Sequence, residues 1–177
     1  MRCWMIRLLP ILRTNYTPYP IMKHLLTILF ILASWLSPNE TMAADIHIYK
    51  GPYTYSSDIL YTWDGKHLYK GAYTYSSNIL YTWDGKHVYK GPYTYSSNIL
   101  YTWDGKHLYS GPYTYSNKIV VTVGNNHIYQ GAYTYSSDII LTTDNKHIYK
   151  GAYTYTSDIL FTWDAPIPTA VLMTILL

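Results

Sequence analysis

Cysteine, arginine and phenylalanine are nearly missing from this 177-residue chain. The single cysteine, Cys3, lies near the start, so the rest of the chain has neither a disulfide framework nor a thiolate metal site. All three arginines, Arg2, Arg7 and Arg13, also lie upstream. From Asp45 onward nine lysines balance nine aspartates. Without a basic field or a bidentate guanidinium reader, nucleic acid is excluded as a partner. Nucleophile signatures, a glycine-rich phosphate loop and paired catalytic carboxylates are absent as well, so no catalytic residue and no cofactor is expected.

Long apolar runs are scarce too. The clearest covers residues 25–36, behind Met22-Lys23-His24 and ahead of a polar stretch that exits through Ala43 and Ala44. A positive start, a short apolar centre and a small-residue exit predict a signal peptide over 22–44. The run is shorter than the ~20 residues a membrane span needs, so no stable span is expected after cleavage. Residues 1–21 then precede a natural start at Met22 and read as an over-extended frame. The protein is expected to be bacterial and either secreted or periplasmic.

What the chain has in abundance is tyrosine, 23 residues, arranged in a repeat. The stretch HLYKGAYTYSSNILYTWDGK, residues 67–86, recurs with small changes every twenty residues across 45–164. Six copies align. Ile59 and its equivalents never change, and neither do Gly51, Thr62 and the tyrosine columns that start at Tyr49, Tyr53 and Tyr55. The columns of Leu60 and of Ile48 stay aliphatic. Asp64-Gly65-Lys66 between two β-prone runs is a hairpin signal, because glycine tolerates the positive φ such a turn needs. Strands are therefore predicted over 59–63 and 67–70. A second turn is predicted over 55–58, where short polar side chains can bond their own backbone. The invariant Gly51 reads as a bulge or a close backbone approach.

Such short repeats cannot bury a core alone, so neighbours must stack. An open β-hairpin solenoid needs atypical polar caps at its ends. Here the divergent copies, with Val123 and Thr143 in place of tryptophan, are internal. The array also begins with the second strand of a hairpin, at His47, and ends with the first, at Trp163. Pairing those halves closes a pseudo-six-fold all-β ring and removes exposed edges. This ring is the favoured fold, with the open solenoid as the alternative. Pro166 and Pro168 stop the pairing, and an apolar C-terminal tail covers 165–177.

The aliphatic columns are too few to offset the cost of ordering the array, so most aromatic rings are expected to be at least half buried. The rings expected at the surface are Trp63, Trp83, Trp103 and Trp163, beside the turns. His67, His87 and His107, with His47, His127 and His147, form a girdle near the same turns. They read as structural hydrogen-bonding groups, and no metal site is predicted, since equivalent positions need not converge on one ion. The four tryptophans and His67, His87 and His107 are the candidate binding residues.

The segment ILYTWDGKHLYKG, residues 59–71, resembles the hairpin repeats of bacterial β-flower domains, where an aromatic-Asp-Gly turn precedes an apolar strand. It is loosely similar to choline-binding cell-wall repeats and to the YD repeats of Rhs-type proteins. The β-flower domains in question carry four repeats, whereas this chain carries six. The resemblance implies an all-β repeat module and transfers no binding residues. Two functions follow from the sequence. One is a non-catalytic exported module that binds a surface carbohydrate or another extracellular or cell-envelope partner. The other is a self-associating structural protein of the envelope or matrix.

Overall fold

The computed structural model describes residues 44–177, so the expected extension and all but the last residue of the expected signal peptide lie outside the described residues. Twelve strands follow in order: β1 (Ile46–Lys50), β2 (Ile59–Trp63), β3 (His67–Lys70), β4 (Ile79–Trp83), β5 (His87–Lys90), β6 (Ile99–Trp103), β7 (His107–Ser110), β8 (Ile119–Gly124), β9 (His127–Gln130), β10 (Ile139–Thr143), β11 (His147–Lys150) and β12 (Ile159–Trp163). Each pairs antiparallel with its sequence neighbours, and β1 pairs with β12 to close a barrel. Ile48 faces Trp163, Tyr49 faces Thr162 and Lys50 faces Phe161. The ring reading is therefore correct. The strands, four to six residues long, are shorter than the roughly nine to eleven a membrane-crossing barrel requires. No helix among the described residues is long and apolar enough to cross a membrane.

Two kinds of connection alternate. Asp-Gly-Lys turns join β2 to β3 and its equivalents at one end of the barrel, here the turn end. The segments 51–58 and their equivalents lie at the other, the loop end, and each finishes in a 3₁₀ turn such as Ser56–Asp58. Gly65 has a φ of 97°, as the sequence required. The fourth copy differs: Asn125 and Asn126 both take positive φ, 50° and 65°, and Gly124 pairs with His127. That is a two-residue hairpin with the I′ pattern.

The expected bulge sits elsewhere than at Gly51. Gly51 ends β1 at a φ of 70°. The extra residue in each loop-side pairing is instead the Leu60 column: Ile48 faces Tyr61 while Tyr49 faces Ile59. The glycine answers the bulge, since the Gly71 N–H donates to the Leu60 carbonyl at 2.7 Å. The Gly71 carbonyl in turn accepts from the buried Thr62 hydroxyl at 2.8 Å. This clasp recurs in every copy, and Thr162 makes it to Gly51 across the closure. It accounts for the unvarying Thr and Gly columns.

Side chains alternate across a strand, and cross-strand partners share a face. Inside the barrel stand the Ile48–Leu68 column, 0% exposed in all six copies, the Tyr61 column and the tryptophans. The tail supplies the remaining core. Helix α1 (Thr169–Thr174) buries Ala170, Val171, Leu172 and Met173 against these columns. A short helix that is apolar all round is stable only when enclosed, and the turn end of the barrel encloses it.

Candidate functional site

At the turn end each Asp-Gly turn is held by its own aspartate. Asp64 Oδ1 accepts the backbone N–H groups of Lys66 at 2.7 Å and His67 at 2.6 Å. Its Oδ2 accepts the Tyr69 hydroxyl at 2.8 Å and lies 3.1 Å from His67 Nδ1. Burial alone would raise the Asp64 pKa. The His67 and Lys66 N–H groups, then Tyr69 and the His67 ring, outweigh it and hold the carboxyl below its ordinary value of 3.8. Asp84 and Asp104 are lowered in the same way, and Asp144 to about 2. Tyr69 and Tyr89 are pushed up to about 12 by burial and by the bond to the carboxylate. The first copy has no turn of its own, and Asp164 from the last copy serves its His47 and Tyr49, each at 3.3 Å. In the fourth copy, which lacks the aspartate, His127 turns to Thr142 Oγ1 at 3.0 Å.

These contacts place His67, His87 and His107 as hydrogen-bonding members of turn clasps on the outer face. Among the described residues no three metal-ligating side chains converge. The tryptophans require a correction. Trp63 and Trp163 are 3% and 4% exposed, and Trp83 and Trp103 are half-buried against the core. Trp63 pairs with Leu68 on the inner face, so closeness to the turn does not bring it to the surface. The tryptophans therefore offer no outward stacking platform. Where the column changes to Thr143, a cavity of about 310 Å³ opens beside α1, lined by Ile148, Trp163, Leu172 and Met173 among others.

The exposed aromatics are at the other end. Twelve tyrosines, the Tyr53 and Tyr55 columns, are 59–67% exposed, whereas the other nine tyrosines of the array and its four tryptophans are at least half buried, so the expectation that most rings are half buried holds by a narrow majority. They form six pairs, each with ring centroids 5.5–5.6 Å apart and planes 28–33° from parallel. All six pairs lie at the loop end, because each falls between an odd-numbered strand and the next even one. The sequence did carry a signal for this. The Tyr-Thr-Tyr motif lies between a strand-ending glycine and a polar turn, outside any ladder that could bury alternate residues.

Residues 47–175 match the model of a family described as 6-fold beta flower protein. The chain belongs to that family. Six-fold closure is thus the family's pattern, and the match runs through α1, so the tail belongs to the flower. No curated protein and no solved structure matches the chain. As a β flower, it is a small all-β repeat protein whose functional surfaces have to be read from its own two ends.

Proposed function

We propose that this β flower is an exported, non-catalytic binding module whose loop-end tyrosines take up a surface carbohydrate or a comparable extracellular partner. The observation that carries the reading is the exposure of twelve tyrosines in six close-set pairs on one rim. A monomer rarely exposes large contiguous apolar surface without a use for it. Tyrosine joins a flat apolar face to a hydroxyl, the combination that suits a pyranose ring with its apolar face and polar edge. Six equivalent pairs multiply weak single contacts into useful avidity.

Self-association into an envelope or matrix assembly is the second reading, and the same exposed rim favours it. Barrel closure counts against its edge-pairing form, since each of the twelve strands has two partners. A glycan array probed with the full chain tests the first reading. Replacing three alternate pairs with alanine, at Tyr73, Tyr75, Tyr113, Tyr115, Tyr153 and Tyr155, is expected to weaken any bound glycan by about tenfold or more. Undiminished binding by a folded variant sinks the reading. Concentration-dependent oligomers on size exclusion that vanish in the same variant would favour assembly instead.

A further inference from the structure

Repeat symmetry at the loop end is broken in one respect that tyrosine stacking does not use. Lys50, Lys70, Lys90 and Lys150 end β1, β3, β5 and β11, and all four are exposed. Their cross-strand partners are Phe161, Tyr61, Tyr81 and Leu141. These partners pack on the inner core. Cross-strand partners share a face, so the lysines stand on the inner side of the barrel wall, at its loop-end mouth. The four strands are successive odd-numbered strands around the ring, and the two remaining positions are Ser110 and Gln130. The lysines therefore form one continuous arc.

No carboxylate answers this arc. Every ion pair among the described residues joins a histidine to an aspartate at the turn end. The loop end does carry Asp58, Asp138 and Asp158 on its 3₁₀ turns, each accepting from the serine before it, and Lys118 replaces the acid in the fourth copy. That leaves five lysines against three aspartates at this end. Level with the arc and on the same face stand Tyr61 beside Lys70 and Tyr81 beside Lys90, with Tyr101 next in the column beside Ser110. The Tyr61 ring meets the Phe161 ring edge-on, with centroids 6.3 Å apart. The same column is Phe161 beside Lys50, Leu141 beside Lys150 and Val121 beside Gln130. Four of the six positions around the mouth are thus cationic, two of them beside phenols, and the other two are neutral.

The geometry points to an anion site at the loop-end mouth, formed by Lys50, Lys70, Lys90 and Lys150, which selects glycans bearing acidic groups. This inference rests on the reading of the loop end as a carbohydrate-binding face and names the class of carbohydrate. A carboxylate or sulfate on the sugar meets the ammonium arc while its rings stack on the surrounding tyrosine pairs. Unpaired like charges gathered on one rim steer and hold an anionic ligand, with a strong dependence on salt.

The test is calorimetric titration of the full chain with oligogalacturonate, with a neutral cello-oligosaccharide of equal length, and with free galacturonate. Oligogalacturonate is expected to bind about tenfold or more tighter than the neutral oligomer, with the preference shrinking as salt rises. The K50Q/K70Q/K90Q/K150Q variant is expected to lose that preference. Its counterpart at the turn end, K66Q/K86Q/K106Q/K146Q, serves as the charge-matched control and is expected to stay within about twofold of the parent. Equal losses in the two variants overturn the site, as does binding of the neutral oligomer alone, which would leave the tyrosine reading standing. Acidic binding that needs the lysines but is indifferent to loss of the tyrosine pairs would keep the anion site and overturn the rim. Free galacturonate binding as tightly as the oligomer would mark a small-anion site and overturn glycan selection.

Discussion

Asp64, Thr62 and Gly71 illustrate how much of this protein is decided by single polar groups. The Thr62 hydroxyl is fully buried and bonds the Gly71 carbonyl. Replacing an equivalent, Thr102→Val, keeps the shape but strips the part-buried Gly111 carbonyl of its hydroxyl donor and is expected to cost about 1–2 kcal/mol in urea unfolding. The fourth copy provides an internal control for the aspartate clasp. Tyr109 donates to Asp104 at 2.7 Å, whereas Gly124 offers Tyr129 no carboxylate. Tyr109→Phe should therefore cost about 1 kcal/mol more than Tyr129→Phe, measured by the same unfolding curves. Invariance of Thr62 and Gly51 was legible in the sequence, but their partnership was not, because it joins positions nine residues apart or, in one copy, opposite ends of the array.

Among elements, the hairpins were the most legible, since the Asp-Gly turn and the alternation around Thr62 both mark them. The same alternation shows why Trp63 points inward: it lies one residue from Thr62, as Tyr61 does, and Thr62 takes the outer face. Helix α1 was not legible. Six residues are too few to display a helical period, and only the enclosing barrel makes that conformation favourable. The turns also set the pH range of stability. Carboxyls held below 3.8 contribute stability that is present above that value and lost as pH falls through their folded values, which for Asp144 is about 2. Tyr69 and Tyr89, raised from 10.0 to about 12, contribute stability present below pH 10 and lost as pH rises toward 12. Urea midpoints should form a plateau between these limits, and Asp144→Asn should flatten the acid limb. An acid limb of the same slope in that variant would contradict the clasp as its source.

The closed barrel leaves its two ends with different chemistry. The turn end is knit by aspartate clasps and filled by α1. Deleting residues 165–177 removes four buried side chains from the core and exposes Trp163 beneath them. A loss on the order of 5 kcal/mol is expected, with red-shifted tryptophan emission. Closure itself was legible from the phase of the array. The assignment of rings to inside or outside was not, because every copy repeats all of its aromatics and composition alone cannot sort them between faces. The loop end, by contrast, gathers twelve exposed tyrosines and an inner arc of lysines. Tyrosine nitration mapped by peptide mass spectrometry, with and without a glycan drawn from the array, tests that division most directly. The Tyr53 and Tyr55 columns should nitrate first and become protected when glycan is bound, while the Tyr49 column stays unreactive throughout. Early nitration of Tyr69 and its equivalents, or loop tyrosines whose reactivity ignores a bound glycan, would contradict it.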